Sequence, residues 1–239
     1  MKIHLINLDR STDRLAEFMA VNRHMANIQR FPAVEGSRID RAGLIARGVI
    51  DPTLDYTAGA LGNALSHFRL WELAIETNQP LTLCEDDAVF NRFFTSEAEA
   101  LLQSLVPNWH IIFWGWNFDA LALFEFIPGV STCLSYFDQD RMRNGIQQFQ
   151  SATLLPRPFR LLAAFGIVCY TISPLGAQVL QRLCTPLRGA AVAVPAANRR
   201  FANKDLSVAL VEFLPRINAF ASFPPLVITK NEHTISTVL

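Results

Sequence analysis

A chain of 239 residues with 51% hydrophobic and 18% charged residues can bury a sizeable core, which excludes an intrinsically disordered protein. Its 21 basic and 21 acidic side chains cancel, so the chain lacks the broad positive charge of non-specific nucleic-acid binders, and no nucleic-acid partner is expected. The four cysteines form no Cys-x-x-Cys pair, which argues against a structural zinc site and a disulfide framework.

The first half of the chain alternates predicted strands and helices. A strand is predicted over 3–8, and a helix after Ser11 carries one apolar face: Leu15, Phe18, Met19, Met25 and Ala26. A second helix is predicted over 58–77, ended by Pro80, and a strand over 81–84 follows it. Ser96 and Glu99 have the spacing of a capping box for a helix to about 105, before a buried strand at 109–115. The order predicts β-α-β units with parallel pairing.

The second half of the chain is less regular. Residues 116–160 lose their periodicity, which favours long functional loops or a lid. The uncharged segment 161–180 is long enough to cross a bilayer, but Ser173 and Pro174 in its interior suit a helix N-cap and first turn. A buried strand over 166–172 and a helix over 174–184 are therefore predicted instead.

The N-terminal sequence and the aromatic content bear on the location of the protein. The N-terminus acquires charges within ten residues and has no long apolar core, so it does not resemble a secretory signal, and a cytoplasmic protein is expected. The 18 phenylalanines leave open a peripheral association with the inner face of the membrane.

Three consecutive acids, Glu85, Asp86 and Asp87, interrupt the apolar segment PLTLCEDDAVF at 80–90. They follow a predicted strand, and ligands of α/β sheets collect at the carboxyl ends of strands. Mutually repelling carboxylates in such a place need a cation, and Mn²⁺ or Mg²⁺ shared with substrate phosphates would supply one. The alternative is that Glu85 caps a turn and both aspartates are solvated.

Five segments occur in order along the chain: INLDRSTDR (6–14), AVEG (33–36), GALGNALSHFRLWELAI (59–75), LTLCEDDAVF (81–90) and GIVCYTISPLGAQVL (166–180). Together they resemble glycosyltransferase family 25, which includes lipopolysaccharide and collagen galactosyltransferases. The resemblance implies an α/β fold of the GT-A-like, Rossmann-type sandwich class with a mainly parallel central sheet. It further implies one domain over 1–239, in which 1–115 binds a nucleotide sugar and 116–239 forms the acceptor side and C-terminal part.

The same resemblance implies a UDP-sugar donor, commonly UDP-galactose, a saccharide acceptor such as lipopolysaccharide, and Mn²⁺ or Mg²⁺ on the donor diphosphate. The family's acidic motif maps onto the triplet, with Asp87 as the first choice for metal ligand, Asp86 as the second, and Glu85 and Asp86 as donor-binding residues. Asn7, Arg10 and Arg14 match the family's N-terminal motif and are expected to bind the donor. An ordinary solvated helix start is the alternative for them.

Two residues are candidates for catalysis. His67 matches the family's Ser-His pair, although Asn63 stands where the family often carries Cys, and a buried core histidine is equally compatible. Asp205 resembles a downstream family aspartate that would take the acceptor proton in an inverting reaction. A helix N-cap for residues up to about 211 is its alternative role. His233 is a weaker candidate for a further metal ligand.

Two other functions remain open at this stage. A metal-dependent phosphoester hydrolase would use the same carboxylates with further ligands, for which only Asp119 and His110 are suggestive. A catalytically silent UDP-sugar-binding protein would keep the donor site without turnover.

Overall fold

The structure, a computed structural model, describes residues 1–230. Its strands are β1 (Ile3–Asn7), β2 (Ile28–Pro32), β3 (Leu81–Glu85), β4 (Ala88–Phe90), β5 (Ile111–Gly115), β6 (Ala122–Ile127), β7 (Ser131–Ser135), β8 (Arg157–Ala164), β9 (Cys169–Ile172), β10 (Val192–Val194), β11 (Arg199–Phe201), β12 (Ala219–Phe223) and β13 (Val227–Thr229). Its helices are α1 (Thr12–Val21), α2 (Arg41–Ala46), α3 (Ala58–Thr77), α4 (Phe94–Ser104), α5 (Gln139–Asn144), α6 (Ile146–Ser151), α7 (Pro174–Cys184) and α8 (Leu206–Val211).

Nine strands form one central sheet in the order β2-β1-β3-β9-β5-β12-β8-β6-β7. Strands β2, β1, β3, β5, β12 and β6 run in one direction, and β9, β8 and β7 run in the other. The predicted α/β, Rossmann-type class with a mainly parallel sheet is therefore confirmed. The parallel pairing predicted for the strands at 81–84 and 109–115 is absent, because β9 lies between β3 and β5 and pairs antiparallel with both. Strands β8 and β7 are also antiparallel to their neighbours.

Helices cover both faces of the sheet. Strand β1 carries apolar side chains on both faces of the sheet. Ile6 packs in the cluster that contains α3 and α7, whereas Ile3 and Leu5 pack in the cluster that contains α1 and α4. Such alternation of side chains is what a strand buried on both faces requires. The core is therefore a three-layer sandwich, and the ends of its strands are left free to form a site.

Helices α3 and α7 have the bounds predicted for them. Thr57 caps α3 by accepting from the backbone N–H of Ala60, and Ser173 Oγ accepts from the backbone N–H of Gly176 at 2.9 Å. The uncharged segment 161–180 is therefore divided among the end of β8, β9 and the start of α7. Across residues 1–230, no helix combines the length and apolar character needed to span a membrane.

Three predictions about the elements were wrong. Helix α1 ends at Val21, so Met25 and Ala26 lie beyond it. Helix α4 begins at Phe94, and Ser96 donates to the carbonyl of Phe93 within its first turn, so Ser96 is not its cap. The segment 116–160 is not mainly loop: it holds β6, β7 and the start of β8 together with two short helices, whose burial is too partial to leave a regular apolar pattern.

The loop after β2 packs directly on the start of α3. A Cβ on Gly62 would lie 2.5 Å from the carbonyl oxygen of Val34, and one on Gly36 would lie 1.8 Å from that of Ala58. Ser66 Oγ also accepts a hydrogen bond of 2.8 Å from the backbone N–H of Val34. These contacts fix the loop as one wall of the site described next.

Candidate active site

A pocket of about 380 Å³ lies where β1 and β3 end. Pockets of roughly 300–1,000 Å³ are typical of small-molecule sites. Most of the residues predicted for the site line this pocket: Asn7, Arg10, Arg14, Glu85, Asp86, Asp87 and Asp205. The topology thus brings together residues that are as far apart in sequence as Asn7 and Asp205.

Asp86 is held by the protein through both of its oxygens. Its Oδ2 accepts a hydrogen bond of 2.8 Å from Asn7 Nδ2, and its Oδ1 forms an ion pair with Arg14. Asn7 is itself oriented, because Arg30 Nε donates to its side-chain oxygen at 3.0 Å. Asp86 therefore anchors β1 and α1 to the end of β3.

Asp87 is the least satisfied of the three acids. Its Oδ2 accepts from the Thr229 hydroxyl at 2.8 Å, but its Oδ1 is buried and has no hydrogen-bond partner among residues 1–230. Burial, the charge of Glu85 and then that of Asp86 raise its pKa to about 7, although the Thr229 hydrogen bond opposes them. Asp87 is thus a carboxylate whose ionised form needs a positive partner.

Glu85 has the opposite electrostatic surroundings. Its Oε1 accepts from Asn63 Nδ2 at 2.8 Å and faces His67 Nε2 at 3.6 Å. Burial alone would raise the pKa of Glu85, but the contacts with His67 and Asn63 and the charge of Arg14 lower it below the usual range. Two acids only two residues apart are therefore driven toward different protonation states.

Basic side chains also enter the pocket. Arg10 pairs with Glu35 at 2.9 Å while its side chain remains 62% exposed. Lys230 pairs with Glu17, and Arg14 pairs with Asp86. Guanidinium and ammonium groups are the side chains that bind phosphate oxygens best, so these three could donate to an anionic ligand, but each of them already faces a carboxylate of the pocket.

Asp205 lies at a helix end that borders the pocket. It is the N-cap of α8, where its Oδ1 accepts from the backbone N–H of Val208 at 3.2 Å and from the Ser207 hydroxyl at 2.5 Å. It also lines the pocket. Since the hydrogen bonds that the structure describes use Oδ1, the second oxygen stays available to a ligand.

His67 does not line the pocket. Its ring is completely buried behind Glu85, and its Nδ1 lies 2.8 Å from the hydroxyl of Tyr170. The surrounding residues of α3 explain the position, because the apolar stripe that buries Trp71 against the sheet carries His67 one turn earlier. A buried histidine cannot reach a substrate, so its contact with the site is indirect.

Several pocket residues were missed from the sequence. Glu35 lies in the AVEG segment that carried part of the resemblance, and that segment was the only signal for it. Asn63 was noted as a departure from the family, yet it binds Glu85. Thr229 and Lys230 carried no signal, because they reach the pocket only through the pairing of β13 with β4.

The additional ligands considered for a hydrolase lie elsewhere. His110 accepts from the backbone N–H of Asn218 at 2.8 Å, and neither it nor Asp119 lines the pocket. His233 lies outside the described residues. Within 1–230, no three histidine, cysteine or acidic side chains are grouped so that they could hold a metal ion by themselves.

Comparison with known proteins identifies similar sequences. The family model of glycosyltransferase family 25 (LPS biosynthesis protein) matches residues 1–195. A glycosyltransferase 25 family member of Anopheles gambiae is 30% identical over 128 residues, which cover 47% of this chain and 21% of that protein. Another, of Aedes aegypti, is 30% identical over 125 residues with the same shares, so the match spans about a fifth of these relatives.

Proposed function

Because the chain belongs to glycosyltransferase family 25, we propose that it transfers a sugar, galactose in the first instance, from a UDP-sugar to a saccharide hydroxyl. The observation that carries the proposal is the convergence of one acidic triplet, three basic side chains and a separate carboxylate, Asp205, on a single pocket. An acceptor related to lipopolysaccharide follows from the description of the family as LPS biosynthesis proteins.

The donor would bind across the ends of β1 and β3. Arg10, Arg14 and Lys230 line the pocket and can donate to the diphosphate, while Ile6 and Val34 offer apolar surface to the base. Glu35 and Ser37 have oxygens that can accept from ribose hydroxyls. All of these groups sit on the walls that β1, α1 and the loop after β2 provide.

A divalent cation fits the acidic triplet. The buried Oδ1 of Asp87 lacks a partner in the described part of the chain, and Asp87 is therefore the residue that would hold Mn²⁺ or Mg²⁺, with donor phosphates and water completing the shell. Glu85 Oε2 is the second available oxygen, because both oxygens of Asp86 are engaged by Asn7 and Arg14. When bound, the cation would neutralise charge on the UDP leaving group.

Asp205 would act as the general base in an inverting transfer. The acceptor hydroxyl would lose its proton to the free oxygen of Asp205 as its own oxygen bonds to the anomeric carbon. The bond from that carbon to the donor phosphate breaks, and UDP leaves with the electron pair. The hydrogen bonds from Val208 and Ser207 hold the Asp205 carboxylate in a fixed orientation for this role.

A direct test measures donor binding and turnover together. UDP and UDP-galactose are titrated calorimetrically with Mn²⁺, with Mg²⁺ and with EDTA, and sugar release is then followed with and without saccharide acceptors. Cation-dependent UDP binding with acceptor-stimulated release supports the proposal. Binding without turnover on any acceptor would favour the silent binding protein, and release of inorganic phosphate would favour the hydrolase.

A further inference from the structure

Three buried side chains, Trp71, Tyr170 and His67, form a hydrogen-bonded network behind Glu85, outside the pocket. Trp71 Nε1 donates to the hydroxyl of Tyr170 at 2.8 Å, and the same hydroxyl lies 2.8 Å from His67 Nδ1. The other ring nitrogen of His67, Nε2, faces Glu85 Oε1 at 3.6 Å. Trp71, Tyr170 and His67 have no exposed surface, so solvent water does not contact this network.

The positions of the hydrogen atoms in the bonds between Trp71, Tyr170 and His67 can be assigned by elimination. An indole N–H only donates, so Tyr170 must accept from Trp71. The single hydrogen of the Tyr170 hydroxyl then needs an acceptor, and His67 Nδ1 is the one within reach among the described residues. If Nδ1 carried a hydrogen instead, two donors would face Tyr170 and its own hydrogen would be buried without a partner, which is costly.

Nδ1 of His67 is therefore the acceptor and carries no hydrogen, so the ring N–H of His67 lies at Nε2. We propose that Tyr170 is a positioning residue for the acidic triplet: it fixes the tautomer of His67 so that His67 presents an N–H to Glu85. The opposite tautomer would direct a lone pair at a carboxylate oxygen and repel it. Tyr170 thus acts on the site through His67 and touches no ligand.

The contacts of Asn63 and His67 leave one carboxylate oxygen of Glu85 available to the pocket. Asn63 and His67 both approach Oε1, so Oε2 has no hydrogen bond within residues 1–230 and can serve the pocket. A separation of 3.6 Å is longer than an ordinary hydrogen bond, and such contacts often shorten once a ligand binds. This step deepens the proposed function, since it assumes that the triplet binds the donor.

The tautomer can be observed without any substrate. Uniform ¹⁵N labelling of the five histidines, with His67 assigned by its absence in His67→Gln, distinguishes a protonated from an unprotonated ring nitrogen. At pH 8 we expect His67 in the Nε2–H form in the wild type and a mixture of both tautomers in Tyr170→Phe. An Nδ1–H form or an imidazolium in the wild type would overturn the proposal, whatever the donor titrations show.

Thr171→Val is a matched control for Tyr170→Phe. Thr171 is the next residue of β9, is equally buried, and its hydroxyl also accepts from an indole, that of Trp114 at 2.7 Å. Both variants lose one buried hydroxyl, but only Tyr170→Phe should shift the His67 tautomer. An equal shift in Thr171→Val would show a general packing effect and contradict the positioning role.

Binding measurements connect the tautomer with the triplet. Tyr170→Phe should weaken cation-dependent UDP binding about 3- to 10-fold, as expected for one misdirected hydrogen bond. In a His67→Gln background, where an amide can donate to Glu85 without Tyr170, the same change should have no further effect. Equal losses in both backgrounds would overturn the proposal, whereas absence of UDP binding in the wild type would refute the proposed function and leave the tautomer result standing.

Discussion

Replacing Asp87 by asparagine removes the acid of the triplet whose surroundings raise its pKa. The pKa of Asp87 rises from its usual 3.8 to about 7. Each unit corresponds to about 1.36 kcal/mol, so the ionised carboxylate costs the folded state at most roughly 4 kcal/mol above pH 7. Because solvent screens a partly exposed group, we expect Asp87→Asn to stabilise the cation-free protein by about 1–2 kcal/mol.

The pH dependence has a definite sign. Below about pH 4 the carboxyl group is protonated in both the folded and the unfolded state, so it contributes nothing to the difference. Between about pH 4 and pH 7 the unfolded chain releases this proton while the folded protein retains it, and stability falls as the pH rises. Asp87→Asn should abolish that part of the decline.

The assay is thermal unfolding in EDTA at pH 5 and pH 8. For a chain of this size about 1 kcal/mol corresponds to roughly 2–4 °C, so the variant should melt about 2–8 °C higher than the wild type at pH 8. At pH 5, which lies roughly a third of the way from 3.8 to 7, the difference should be roughly a third as large. Asp86→Asn is the control of opposite sign, because it removes the ion-pair partner of Arg14 and should lower the melting temperature. Mn²⁺ with UDP should stabilise the wild type but not Asp87→Asn.

Two results would refute this reasoning. If Asp87→Asn melted below the wild type at pH 8, the carboxylate would be stabilising and its electrostatic surroundings would be misjudged. If Mn²⁺ stabilised the variant and the wild type equally in the presence of UDP, Asp87 would not hold the cation.

Three further substitutions test other parts of the site. Asp205→Asn should lower transfer by roughly 10²–10⁴-fold in a turnover assay, with UDP affinity and melting temperature nearly unchanged because Asn caps a helix about as well as Asp. Arg14→Met should weaken UDP binding by calorimetry and cost roughly 1.5–3 kcal/mol of stability in a urea titration, since Asp86 loses its charged partner. Gly62→Ala should lower stability by about 1–3 kcal/mol in the same titration, because the new Cβ would meet the carbonyl of Val34.

The local part of the fold could be predicted from the sequence. Helix α7 was placed by two adjacent residues, Ser173 as cap and Pro174 at the first position, whose conformational preferences need no tertiary context. The insertion of β9 between β3 and β5 could not be predicted in this way. The sequences of β3 and β5 both predict buried strands, but their apolar patterns do not indicate which other strand of the sheet lies between them.

The candidate site likewise has one part that the local sequence predicts and one part that depends on distant residues. That Glu85, Asp86 and Asp87 end a strand was visible locally, but their different roles depend on partners far away in sequence. Asp86 is neutralised by Arg14, 72 residues earlier, while Asp87 meets Thr229, 142 residues later. The three consecutive acids therefore differ in their electrostatic surroundings, and those differences could be seen only in the fold.

The motif GNALSH at 62–67 owes its spacing to two contacts that α3 makes at once. Gly62 and Ser66 are four residues apart and lie together against the loop after β2, which forms one wall of the pocket. Asn63 and His67 are also four apart, one position further round the helix, and both approach Glu85. A one-residue shift of α3 would break both contacts together, so the helix couples the wall of the pocket to the acidic triplet.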